Sequence, residues 1–144
     1  MQNNDNENVP DLIVQLRPTY PNRNIFDLNK CIQNMIENEE YSSLRTVIPY
    51  EKSPYKMYLT KDHILKPLFE EVNGLNEPYN RCRQDLPTTY LHNGCIDVIR
   101  TSSFIKYNSI TGPKIYAYIM DKEEVNDIDN LEDWGKSELK FKQL

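Results

Sequence analysis

Asp127 and Asp129 flank a single apolar residue, Ile128, near the end of the chain. In extended backbone, residues two apart project to the same side. The spacing therefore predicts a β-edge that presents both carboxylates to one place while Ile128 packs inward. Two hard oxygen donors suit Mg²⁺, which takes one or two carboxylates and fills its remaining positions with water and substrate phosphates. The chemistry implied is metal-assisted handling of phosphates. A plainer reading competes with it. Asp129 or Asn130 can open a following helix, with Glu132 and Asp133 favouring its positive end.

An anionic substrate would need cations and polar groups placed locally. Arg83, in Arg83-Gln84-Asp85-Leu86-Pro87, can hold a carboxylate through two parallel hydrogen bonds. Asn93 offers a donor and an acceptor, and Gly94 allows a close backbone approach. Arg17 and Arg23 bracket a proline-stiffened loop where a strand ends, and open α/β sheets bind ligands at the carboxyl ends of strands. Lys56 follows Ser53-Pro54-Tyr55. Taken singly, each of these also reads as an ordinary surface turn, rigid loop or solvated cation. There is no GxGxxG and no Walker A loop. His63 and His92 stand in no nucleophile motif, so Ser-His-Asp and Cys-His catalysis have no support. His92 reads as a loop residue and Cys95 as core.

The elements that would position these residues follow from hydrophobic period. Leu12 to Leu16 is a short apolar run, read as a buried strand. Ile25, Leu28, Ile32, Met35 and Ile36 recur at helical spacing, with Asn24 as N-cap. Ser43 to Pro49 reads as a second strand. Tyr55 to Leu59 alternates and suits a hairpin arm. Loops and short pieces are expected over 61–87. Cys95 to Arg100 and Ile115 to Met120 are further strands. Asn130 to Phe141 reads as a closing helix with Leu131, Trp134 and Leu139 inward. Strands alternating with helices predict an α/β layered fold.

The whole chain limits the reading further. Its 144 residues fit one domain, taken as 11–144 behind a flexible polar leader over 1–10. A net charge of −5 without a basic run argues against nucleic-acid binding. No apolar run reaches membrane-spanning length. Three cysteines, Cys31, Cys82 and Cys95, form no CxxC and predict a reducing cytoplasm rather than a disulfide framework.

Read in order, LIVQLRPTYPNR, SLRTVIPYEKSPYK, RQDLPTTYLHNG and YIMDKEEVNDIDNLEDW resemble the acylneuraminate cytidylyltransferase family, the CMP-sialic acid synthetases. The family's versions run L-(Q/R)-P-T-(S/Y)-P-x-R, S-x-x-x-V with a later P-x-K, R-Q-x-L-P…N-G, and D-I-D-T-x-x-D. The similarity spans Asp11 to Glu138. It implies activation of an acidic nine-carbon sugar, whose anomeric hydroxyl attacks the α-phosphorus of CTP to give CMP-sugar and diphosphate. It also implies a Rossmann-like nucleotide-diphospho-sugar transferase fold, with a mixed sheet and helices. The family is usually a homodimer in which an arm of each subunit covers the other's site. By match to the motifs, Asp127 and Asp129 would hold Mg²⁺. Arg83 would bind the sugar carboxylate with Asn93 and Lys56 nearby, and Arg17 stands where members have Gln or Arg. In-line phosphoryl-type displacement needs charge neutralisation and alignment more than a covalent nucleophile.

Two departures shape the expectation. Asp97 stands where members often have an aromatic residue facing the sugar, so it is a candidate contact that alters sugar choice. The family's Arg/Gly/Lys-rich loop for the CTP triphosphate has no counterpart in Met1 to Pro10. The chain is thus expected to be an N-terminally truncated version carrying the sugar and metal side of the site. A second polypeptide could complete it, or it could be a fragment or an inactive relic. The runner-up is a non-catalytic module that binds an acidic sugar or assembles with a partner. A DxD glycosyltransferase is disfavoured, because its DxD follows a nucleotide-binding half.

Overall fold

A computed structural model describes residues 9–121 and 127–142. Of the expected leader, only Val9 and Pro10 fall among them. The chain divides into two compact units, Met1–Ile48 with His92–Leu144, and Pro49–Leu91.

The first unit is built on a four-stranded sheet in the order β1-β7-β2-β8. Its strands are β1 (Leu12–Gln15), β2 (Ser43–Tyr50), β7 (Thr89–Arg100) and β8 (Ile115–Ile119). β1 runs antiparallel to β7, with Gln15 opposite Asp97, and β8 runs parallel to β2, with Arg45 opposite Ala117. The sheet is therefore mixed, and with its helices the fold is α/β. β1 alternates between half-buried and exposed residues, so it is a half-covered strand rather than the buried one expected. β7 begins six residues before the predicted Cys95, because its first part carries polar and exposed side chains that give no apolar run.

Helix α1 (Ile25–Glu37) starts where Asn24 accepts a hydrogen bond from the Phe26 N–H. Its inward residues are Asp27, Cys31 and Met35, four apart, while Ile25 and Ile36 are exposed. The predicted face is thus rotated, because a buried carboxylate lies on it. Asp27 Oδ1 accepts from the Tyr118 hydroxyl at 2.7 Å, which meets part of the cost of burying it. Cys31 and Met35 join Tyr20, Leu44, Ile48, Cys95, Ile96, Val98 and Met120 in the core. Each large apolar side chain there contributes about 1.5–3 kcal/mol by burial. Arg100, at the end of β7, donates to the carbonyls of Tyr41, Met35 and Asn38, closing the C-terminal end of α1. A short helix, α2 (Thr101–Tyr107), follows β7 directly. It escapes sequence reading because one two-turn segment leaves no periodic signature.

The second unit contains two small antiparallel hairpins. They are β3 (Tyr58–Lys61) with β4 (Ile64–Pro67), and β5 (Glu71–Val72) with β6 (Leu75–Asn76). Each is joined by two residues with positive φ, Asp62-His63 and Asn73-Gly74. Two positive φ values mark the primed turns that match strand twist. One-turn 3₁₀ helices occupy Pro54–Lys56, Pro78–Asn80 and Arg83–Asp85. The alternation over Tyr55 to Leu59 thus resolves into such a turn followed by a hairpin strand.

The closing helix, α3 (Leu131–Phe141), begins with Asn130 accepting from the Glu132 and Asp133 N–H groups. Its orientation reverses the expectation. Ser137 is its buried residue, whereas Leu131, Trp134 and Leu139 are 90%, 60% and 63% exposed. Asn22 holds the buried side by donating to the Ser137 carbonyl and hydroxyl. No helix among the described residues is long and apolar enough to cross a membrane.

Candidate functional site

The loop after β1 is the frame of the site. Tyr20 is buried and its N–H donates to the Arg17 carbonyl. Arg23 folds back across the loop, donating through Nη2 to the Arg17 carbonyl and through Nε to the Cys95 carbonyl at 3.0 Å. A guanidinium thus ties the loop to β7 by two backbone acceptors. The exposed Arg17 side chain lies against Gly94, where a Cβ would fall 2.7 Å from its guanidinium carbon.

Asp127-Ile128-Asp129 comes to the same loop. The Ile128 N–H donates to the Thr19 carbonyl at 2.9 Å, so the acidic segment is docked by its backbone beside the arginine-bearing turn. This segment is irregular rather than a β-edge. Asp127 is half-buried and Asp129 exposed, so the two carboxylates sit in different surroundings. Asp127 Oδ1 is buried with no hydrogen-bond partner, whereas the Asp129 N–H donates to Asp133 Oδ2 at 3.3 Å. Helix capping falls to Asn130, which leaves both carboxylates without that duty.

A buried carboxylate oxygen without a donor costs free energy that a cation would offset. Mg²⁺ needs one or two carboxylates and completes its shell with water and phosphate oxygens, so the donor type of Asp127 and Asp129 suits it. Among the described residues no cluster of three or more His, Cys, Asp or Glu could hold a metal.

Asn93 is 7% exposed and its amide is engaged. Its Oδ1 accepts from the Thr46 hydroxyl at 2.6 Å and from the Cys95 N–H, while Nδ2 faces the Met120 sulfur. In this arrangement it braces β7 against β2. Asp97 is 6% exposed, with Oδ1 2.9 Å from His92 Nε2 and 3.7 Å from Arg45 Nε. His92 and Arg45 therefore stand between this carboxylate and solvent. Arg17, Asn93, Asp97, Asp127 and Asp129 all belong to the first unit. Lys56 and Arg83 belong to the second, where both are exposed. Lys56 Nζ donates to the Tyr79 carbonyl at 3.5 Å, and the Arg83 carbonyl closes its own 3₁₀ turn.

Sequence reasoning missed Asn22, Asp27, Arg45 and the pairing of His92. A pocket of ≈ 470 Å³ is lined by Asn22, Arg23, Asn24, Ile25, Asp27, Met120 and Lys140. Asn22 Oδ1 and Asp27 Oδ2 are buried there without partners. The single legible signal was Asp27, an acid inside an apolar helical period. Nothing in sequence links His92 to Asp97, since five residues along an ideal strand face opposite ways. The positive φ of Gly94 breaks that alternation. Against known proteins, no family model matches the chain and no curated protein sequence does.

Proposed function

We propose that this chain is the sugar-and-metal side of a cytidylyltransferase that activates a sialic-acid-like nonulosonic acid with CMP. One observation carries the reading: the Ile128-to-Thr19 hydrogen bond brings an unpartnered carboxylate and the Arg17 turn to one place. Phosphate chemistry on an acidic substrate calls for that combination, since a cation holds phosphate oxygens while guanidinium groups hold anions. The strand order β1-β7-β2-β8, with one antiparallel strand within a mixed sheet, is compatible with the Rossmann-like fold that the motif resemblance implies.

In this reading Asp127 and Asp129 hold Mg²⁺, which supplies charge neutralisation at the phosphates. Arg17 faces the anionic substrate. Asn93 acts through the β7 backbone, and Asp97 through His92 and Arg45, rather than by touching the sugar. By the motif match, Arg83 binds the sugar carboxylate with Lys56. The resemblance further implies CTP as the nucleotide donor and a cytoplasmic homodimer.

Calorimetry tests the reading. The chain should bind a nonulosonic acid, and bind it more tightly with Mg²⁺. It should release little diphosphate from CTP and that sugar when alone. Absence of acidic-sugar binding with and without Mg²⁺ rejects the proposal.

A further inference from the structure

The pocket beside the start of α1 is lined by a different set of described residues from those assigned to the sugar and the metal. Its wall includes Asn22, Arg23, Ile25, Asp27, Met120 and Lys140, and its ≈ 470 Å³ is the size of a small-molecule site. All of these residues belong to the first unit.

Two oxygens in this wall want a donor. Asp27 is 9% exposed; its Oδ1 accepts from the Tyr118 hydroxyl, but its Oδ2 is buried with no hydrogen-bond partner. Asn22 donates through Nδ2 to the Ser137 carbonyl and hydroxyl, which fixes Oδ1 as its acceptor end. That oxygen is also buried with no partner. Carboxylate and amide oxygens only accept, and leaving them unmet costs free energy. An ammonium answers both, because it carries donors only and brings the charge that a carboxylate favours.

The other charges of the wall narrow the ligand further. Arg23 is held by the Arg17 and Cys95 carbonyls and keeps its positive charge. Along α3, Lys136 and Lys142 pair with Glu132 and Glu138, whereas Lys140 lines the pocket. A bare cation would be repelled by Arg23 and Lys140, and a bare anion by Asp27. A molecule carrying both charges satisfies the whole wall. Ile25 and Met120 supply apolar surface for an aliphatic spacer between them.

We propose that this pocket binds a small zwitterion, an aliphatic amino acid whose ammonium reaches Asp27 and Asn22 and whose carboxylate reaches Lys140. Both acceptor oxygens are closed to water, so binding turns their side chains toward the pocket. The proposal does not depend on the nucleotidyl-transfer reading.

Calorimetric titration of the full chain with glycine, β-alanine, γ-aminobutyrate and ε-aminohexanoate scans the spacer length. The alkylamine and the alkyl carboxylate of matching length carry one charge each. The best amino acid should bind with a Kd of about 1 mM, and about tenfold or more tightly than either single-charge analogue. Asp27→Asn keeps an acceptor for the Tyr118 hydroxyl and should weaken binding about tenfold or more. Lys140→Met alters an exposed side chain. It should weaken binding of the amino acid but leave the alkylamine unchanged or tighter. Circular dichroism checks the fold of both variants, and Lys140→Met decides alone if Asp27→Asn does not fold. Failure of every amino acid to bind up to about 10 mM overturns the proposal. So does a single-charge analogue that binds as tightly as the best amino acid, or binding that ignores either folded variant.

Discussion

The guanidinium of Arg17 rests on the bare Cα of Gly94, where a Cβ would come within 2.7 Å of Cζ and Nη1. Gly94 also has φ +69°, a conformation that costs a residue with a side chain about 1–2 kcal/mol. Gly94→Ala should therefore lower stability through the backbone and also displace Arg17. The two effects separate in a double-mutant cycle measured by urea unfolding. In an Arg17→Ala background, Gly94→Ala should cost only the backbone part. An equal loss in both backgrounds would show that the contact has no energetic weight.

Asp127 carries a buried oxygen with no donor, which penalises the folded state by about 1–3 kcal/mol in the absence of a cation. Asp127→Asn should therefore leave stability unchanged or higher in chelator. The same variant should lose the stabilisation by Mg²⁺, about 1.4 kcal/mol for the parent chain when the ion is tenfold above its Kd. Asp129→Asn should lose the Mg²⁺ effect with little change in chelator, because Asp129 is exposed. Thermal melts with and without Mg²⁺ check both. Equal Mg²⁺ shifts in parent and variants would remove these residues as ligands.

His92 and Arg45 share one oxygen of Asp97, at 2.9 Å and 3.7 Å. Asp97→Ala should leave two cationic-type side chains facing each other without a carboxylate between them. The expected cost is about 1–3 kcal/mol, less than for a fully buried pair because both partners are partly open to water. Combined with His92→Ala, the cycle should show coupling of about 0.5 kcal/mol or more. Additive losses would mean that the His92–Asp97 contact is not formed in solution.

Burial, then the nearby Asp27 carboxylate and Cys95, push the Cys31 thiol up from 9.0 to about 12. The folded state thus disfavours the thiolate. Its contribution to stability is fully present below pH 9.0 and is lost as pH rises toward about 12. Cys31→Ala should flatten the alkaline fall in stability by up to about 1.4 kcal/mol per pH unit. Thiol labelling gives a second measure. Cys82 is exposed and should react in the native protein, whereas Cys31 and Cys95 should react only on unfolding. Prompt labelling of all three cysteines would contradict this packing.

Local rules made much of the framework legible. The Asn24 cap, the α1 period, the β2 apolar run and the Asn130 cap each express an interaction within a few residues, so sequence spacing carries them. In the second unit the alternation over Tyr55 to Leu59 signalled the first hairpin only in part, and the second gave no signal, because strands of two to four residues leave no periodic signature.

By itself the sequence located α1, β2 and α3, and it singled out residues whose types suit an anion or a divalent cation. It also determined that α3 would be amphipathic. Only the tertiary structure decided which face of α3 turns inward, since hydrophobic period locates a stripe but not what lies against it. The fold likewise decided that Asp97 meets His92 and Arg45, and that Ile128 docks on Thr19. Those contacts join residues from separate elements or across a bend in one strand, and neither composition nor spacing encodes such a meeting. Where a side chain points depends on the chain path around it, and that path is set by the packing of the whole unit.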